Sequence, residues 1–232
     1  MLDKSPRTII GMFNSIAHKY DLMNDLMTVF SHRRTRKLAA QLSNFESSKK
    51  ALDLATGTGD FTFSLFKEAQ GTIIGADMSD KMLSIALNRS QDLGTNKHIS
   101  FTLVDIDHLP FPDESFDVCT IGYGIRNVPD PLNTMKEVAR VTKNGGRFII
   151  VEATPPTNYQ VKFLVLFYFR KLVPLLAKVL SANTNAYTYF AESISQFPKA
   201  LEFSKIIKQA GWKKVFWYPL YHETVTIFLA DK

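Results

Sequence analysis

An α/β fold with a mostly parallel sheet and helices on both faces is the class this sequence predicts, on three observations. Between Ala51 and Glu152, short apolar runs alternate with longer helical stretches, the pattern of stacked strand-helix-strand units. The first run opens into a glycine-bearing turn, Ala55-Thr56-Gly57-Thr58-Gly59-Asp60, where a backbone without Cβ atoms can approach a ligand at a helix start. The second run ends on Asp77, 20 residues after Gly57, the spacing at which a carboxylate meets ribose hydroxyls.

In chain order, the segment before Ala51 is helical, because Phe13, Ile16, Ala17 and Tyr20 repeat on one helix face. Five strands follow at Ala51–Ala55, Thr72–Ala76, Ser100–Val104, Asp117–Ile121 and Arg147–Val151, with helices between them such as Lys81–Leu93 and Pro131–Thr142. After Thr154-Pro155-Pro156 the chain turns basic, aromatic and helical. Strand patterns return at Lys213–Tyr218 and Thr224–Ala230, joined by a short turn around Pro219, so these two pair antiparallel at one end of the sheet. The chain divides into an N-terminal helical cap (1–50), a cofactor-binding core (51–154), a helical lid insertion (155–212) and closing antiparallel strands of the same domain (213–232).

With 232 residues and 45% hydrophobic content, the chain can bury a full core. A net charge of +6 suits nucleic acid, anionic lipid or plain solubility. One cysteine, Cys119, excludes an intrachain disulfide and any multi-cysteine zinc site, which fits a reducing, cytoplasmic setting. The N-terminus lacks the apolar core of a secretory signal. The apolar stretch Phe163–Leu180 is broken by Arg170, Lys171, Pro174 and Lys178, so no transmembrane helix is expected. No cluster has metal-ligand spacing.

The turn differs from a dinucleotide fingerprint. Its glycine run stops at Gly59 and Asp60 follows, an acid that a pyrophosphate would repel. The third strand ends at Val104-Asp105-Ile106-Asp107, where a carboxylate can accept from an adenine amine. These residues resemble the Rossmann-like class I methyltransferases, which bind S-adenosylmethionine on a seven-stranded sheet with the last strand antiparallel. The resemblance implies that Gly57 and Thr58 approach the methionine part, Asp77 the ribose, and Asp105 with Ile106 the adenine, with Met78 in the same cofactor-binding set.

Further motifs narrow the resemblance. Tyr20-Asp21-Leu22-Met23-Asn24-Asp25 with His32, the run from Arg140 to Arg147 closing with Glu152, and Gly124-Ile125-Arg126-Asn127-Val128 resemble the C-methyltransferases of quinone biosynthesis, the demethylmenaquinone and polyprenyl-benzoquinol enzymes. Thr28 and Thr35 stand where that family usually has serine and tryptophan, and Gly122 where relatives often carry a hydroxyl. The resemblance implies C-methylation of a demethylmenaquinol or related prenylated quinol, with naphthoquinol and benzoquinol both open. Arg126, just after the fourth strand, is the group expected to stabilise a phenolate. By resemblance, Arg126 and Asn127 hold a water that takes the proton.

The aromatic segment Phe163–Tyr189, with Lys162, Arg170, Lys171 and Lys178, is expected to make transient contact with a membrane surface, at its inner face, as a peripheral protein. Homo-oligomerisation is left open. Rival readings are methylation of RNA or of another small molecule, a non-catalytic binding module, and nicotinamide-dependent oxidoreduction. No RNA-binding motif appears, and no nucleic-acid partner is expected.

Overall fold

The computed structural model describes residues 2–179 and 184–232; residues 180–183 of the aromatic basic segment lie outside them. The strands are β1 (Lys50–Leu54), β2 (Thr72–Asp77), β3 (Ile99–Leu103), β4 (Phe116–Gly122), β5 (Thr142–Ala153), β6 (Lys214–Leu220) and β7 (Val225–Asp231). They form one sheet in the order β3-β2-β1-β4-β5-β7-β6. The first five run parallel, and β7 lies antiparallel between β5 and β6. All seven expected strands are present, with β5 starting at Thr142 rather than Arg147.

The turn expected around Pro219 lies later. Pro219 sits inside β6, paired with Thr226, which an edge strand tolerates because it needs no outward N–H. The reversal is made by Tyr221, His222 and Glu223, all with positive φ.

Side-chain alternation along the strands builds two core layers. Leu52, Leu54, Cys119, Ile121, Phe148 and Ile150 face a layer closed by Met135 and Val138 of α6 (Pro131–Val141) and by Phe203 and Ile207 of α10 (Ala200–Gln209). Ala51, Ile73, Val118, Ile149 and Val151 face the other side, against Ala39 and Ala40 of α3 (Ser31–Leu42) and Phe61 and Leu65 of α4 (Asp60–Ala69). Cys119 is sealed in the first layer, and burial pushes its thiol up to about 12.

Helix starts follow local chemistry. Ser79 accepts from the Met82 amide (3.1 Å) to begin α5 (Asp80–Asp92), and Asp130 accepts from Leu132 and Asn133 ahead of Pro131.

A third cluster covers the carboxyl edge of the sheet. Ile16 of α1 (Pro6–Ile16) and Met23 and Met27 of α2 (Tyr20–Thr28) pack with Met82, with Val173 of α8 (Val173–Val179) and with Ala186 and Phe190 of α9 (Thr184–Gln196). The early helices thus meet the late ones above the point where strand order reverses between β1 and β4, where open α/β sheets bind ligands.

Candidate active site

A cleft enclosing about 770 Å³, part of it open to solvent, follows the carboxyl ends of β1 to β4. Gly57, Asp77, Met78, Asp105, Ile106 and Asn127 all line it. Gly57 has φ +58°, and a Cβ there would project toward the Tyr20 ring at 3.9 Å, into the cleft. The position therefore serves both the left-handed turn and a close approach.

Asp77 ties the turn to the second strand. Its Oδ2 accepts from the Gly57 amide (2.8 Å) and its Oδ1 from the Ser79 amide (2.8 Å), while burial raises its carboxyl above the ordinary value. Below the turn, Asp53 is fully buried and accepts from the hydroxyls of Thr56 (2.7 Å), Thr62 (2.8 Å) and Thr120 (2.7 Å). Those bonds brace the loop from beneath. Asp105 stands half exposed at the far end, one oxygen accepting from the Asp107 amide at 3.0 Å, which leaves acceptor capacity facing the cleft.

Thr58 is placed differently from the others. It lines neither this cleft nor the cavity beside it; its hydroxyl donates to Asp21 (2.7 Å) and its carbonyl accepts from Arg89 (2.7 Å). The Asp21 contact fastens α2 to the glycine turn.

A second cavity, enclosing about 1200 Å³ with part of it open to solvent, adjoins the first. Tyr20 and Tyr123 line both, so the two spaces meet at these rings. The rest of its wall is largely apolar, including Met27, Val29, Val165, Phe169, Ile194 and Val225. Burial lifts both tyrosines, Tyr123 to about 12, so both are phenols at neutral pH.

Arg126 lines this second cavity, and Asn127 the first. Arg126 Nη1 donates to Glu152 Oε1 (2.6 Å) and to the Tyr123 carbonyl (2.6 Å), and its backbone amide donates to Glu152 Oε2 (3.1 Å). Glu152 is completely buried, so Arg126 forms a closed ion pair, with Phe190 under its guanidinium at 5.1 Å. Asn127 Oδ1 accepts from the Tyr189 hydroxyl (3.2 Å). Its amide nitrogen donates to no residue among those described.

A further polar chain enters from α2 and α3. His32 Nε2 meets Asp25 Oδ1 at 2.9 Å, its Nδ1 meets Arg36, and Arg36 reaches Asp60 at 3.4 Å. Asp60 also takes Arg89 at 2.8 Å. Burial pushes Asp60 upward, but Arg36 and Arg89 outweigh it and hold the carboxyl below its usual range. Burial, aided by Arg36, lowers His32. Among the described residues, no cluster of His, Cys, Asp and Glu could hold a metal ion.

Sequence reasoning misses the site contributions of Lys4, Phe13, Arg36 and Tyr123. Only Tyr123 carries a usable signal, since it sits beside Gly122 and Gly124 at a strand end.

The sheet order, with one reversed strand and a cleft at the switch point, defines the class I methyltransferase fold. A SAM dependent methyltransferase from Aquifex aeolicus shares it with a TM-score of 0.61, at 16% identity, over 84% of this chain and 88% of that one. The profile of the ubiE/COQ5 methyltransferase family matches residues 1–232, and the chain belongs to that family. The demethylmenaquinone methyltransferase of Chlorobaculum parvum is 38% identical across 99% of this chain and 94% of its own length. The ubiquinone/menaquinone biosynthesis C-methyltransferase UbiE of Saccharophagus degradans is 36% identical across 89% and 84%.

Proposed function

We propose that the protein uses S-adenosylmethionine to methylate a ring carbon of a demethylmenaquinol or related prenylated quinol. The observation that carries this is the junction: a cleft lined by the carboxylates of Asp77 and Asp105 adjoins, at Tyr20 and Tyr123, a largely apolar cavity. Relatives named for demethylmenaquinone and ubiquinone/menaquinone biosynthesis support the same acceptor class.

The cleft fits the cofactor on its own terms. Gly57 offers a cradle that a Cβ would fill, Asp77 and Asp105 offer carboxylates for hydroxyls and an amine, and Met78 and Ile106 give apolar walls. Thr58 acts through the turn it anchors. When bound, S-adenosylmethionine supplies a methyl group on a sulfonium.

The protein's share is positioning and charge. The ring lies against Tyr20 and Tyr123 with its tail among Met27, Val165, Phe169 and Ile194. Arg126 lends a guanidinium whose position Glu152 fixes, and Asn127 directs its free amide toward the reacting centre. Segments 1–50 and 155–212 act as cap and lid over the core 51–154, with 213–232 closing the sheet.

No helix among the described residues is long and apolar enough to cross a membrane. Contact at the surface is favoured instead by Phe163, Leu164, Phe167, Leu172 and Leu175, which are exposed beside the exposed cations Lys162, Arg170, Lys171 and Lys178. No Asp or Glu occurs between Ala153 and Ala191, so this face suits an anionic leaflet that also holds the acceptor's tail.

The test follows label from S-adenosylmethionine into reduced demethylated naphthoquinols and benzoquinols, with RNA in parallel. Label in one quinol class is expected and names the ring; label only in RNA, or in no acceptor, overturns the reading.

A further inference from the structure

Arg36 is an anomaly in the second cavity. It is only 5% exposed, yet just one of its three nitrogens, Nη1, has protein partners: His32 and a long contact to Asp60 at 3.4 Å. Nε and Nη2 donate to no residue among those described. Buried guanidinium donors without acceptors are costly, and such orphans mark the place of a missing partner.

The surroundings show what kind of partner. Guanidinium only donates, so His32 Nδ1 facing it is an acceptor, and Nε2 carries the hydrogen that goes to Asp25. Asp25 is in turn clamped by Arg33 through two 2.6 Å bonds. His32 therefore orients Arg36 without neutralising it. Asp60, which Arg36 reaches only at 3.4 Å, lies closer to Arg89, at 2.8 Å, so it holds Arg36 weakly. The contrast with Arg126, closed on the fully buried Glu152, is direct.

Position completes the picture. The guanidinium stacks on Tyr123 at 5.1 Å, which covers one face and leaves its edge for a ligand. A Cβ at Gly122 would lie 3.6 Å from Arg36 Nε, and Gly122 lines the first cleft. Nε thus stands beside the end of β4, next to Gly122 and Tyr123, of which the first lines one cavity and the second both.

We propose that Arg36 is the oxyanion site of the acceptor cavity, its Nε and Nη2 donating to a ring oxygen of an aromatic hydroxyl compound and favouring the phenolate. Naming that compound a quinol rests on the function proposed above; the oxyanion site itself does not. The phenolic proton leaves to solvent, and ring and tail stay in the apolar part of the cavity.

The test uses para-nitrophenol, whose absorbance reports its own ionisation. Wild-type protein is expected to move its titration toward lower pH. Arg36→Met should abolish that shift, whereas Arg34→Met, an exposed arginine on the same helix, should keep it. Arg36→Gln, which preserves an amide donor toward His32, covers the case in which Met disturbs folding; Asp60 keeps Arg89 in either variant.

With quinol acceptors, both Arg36 variants should lose about tenfold or more in kcat/KM, as expected for a charged hydrogen bond, with cofactor affinity unchanged. A wild-type protein that leaves para-nitrophenol's titration unmoved overturns the proposal, as does a shift that survives Arg36→Met and Arg36→Gln or is lost only in Arg126→Met. If the shift depends on Arg36 but no quinol is methylated, the quinol reading falls and the oxyanion site stands. If quinols are methylated equally well by the Arg36 variants, the reverse holds.

Discussion

The two cavities that meet at Tyr20 and Tyr123 are built by different rules. The first is made by consecutive strand ends, whose turns each contribute one or two groups, and its polar atoms are held by short backbone bonds such as those from Gly57 and Ser79 to Asp77. The second is assembled from α2, α3, the end of β4, the late helices and the final hairpin, and its polar atoms are held by buried ion pairs. A site made from contiguous turns inherits its geometry from the sheet. A site made from distant segments depends on tertiary packing and on charges that must find one another, so the second cavity is the more fragile half.

That contrast is tested most severely at Arg126. Arg126→Met leaves Glu152 buried without its partner, and breaking such a pair costs about 3–5 kcal/mol, which denaturant melts should register together with a large fall in turnover. Adding Glu152→Gln should restore much of the stability but none of the turnover. Recovery of both would make the pair purely structural.

On the other side, Asp77→Ala removes the acceptor of two turn amides and is expected to weaken S-adenosylhomocysteine binding about a hundredfold, measured by calorimetry, on the scale of two charged hydrogen bonds. Stability should fall less than in Arg126→Met. An unchanged affinity would mean that the turn holds its shape without Asp77.

The same difference decides which features the amino-acid order alone discloses. Gly57, Asp77 and Asp105 are legible because strand, turn and acid recur at strand ends, Met78 and Ile106 only through the family resemblance, and all five line one cleft. The seven strands are legible from apolar periodicity, but the final turn is displaced: proline reads as a turn residue, and its tolerance on an edge strand depends on sheet order, which periodicity does not carry. Arg126 stands out for its strand-end position, while its partner Glu152 lies 26 residues away. Arg36 looks like one more cation in the basic run Arg33-Arg34-Thr35-Arg36-Lys37, and only packing shows that it alone among the four is buried.

A gentler probe of the second cavity is pH. His32, ordinarily near 6.5, is lowered by burial and then by Arg36, so the fold holds it neutral. A group whose folded pKa is depressed contributes stability that is present above its unfolded value and fades as pH falls toward the folded one. Stability should therefore begin to decline as pH falls below about 6.5, the ordinary histidine value. Burial raises Asp53 and Asp77, and their effect runs the opposite way, so the readout is the difference between wild type and His32→Asn across this window. Equal slopes would show that His32 is not the titrating group. Protonated His32 can no longer accept from Arg36, so turnover should fall only at lower pH than the onset of the stability loss, where the folded protein itself takes up the proton.

The smallest change in stability is expected at the mouth of the second cavity, where Val29 and Phe30 both adopt left-handed backbone, with φ of +47° and +60°. They are 78% and 53% exposed. Left-handed conformation costs a residue with a side chain about 1–2 kcal/mol, and glycine would avoid it, so neither strain nor solvent favours these two side chains here. The surface contact proposed above would favour them. Val29→Gly with Phe30→Gly should leave the melting temperature unchanged or slightly higher, since relieved strain offsets glycine's freedom in the unfolded chain. Partition onto phosphatidylglycerol vesicles, followed by sedimentation, should fall about tenfold, because the lost side chains bury apolar area only when a bilayer is present. A stable variant that still binds vesicles as wild type does would assign the bilayer contact to the late helices alone and leave the strain at Val29 and Phe30 to the packing of α2 against α3.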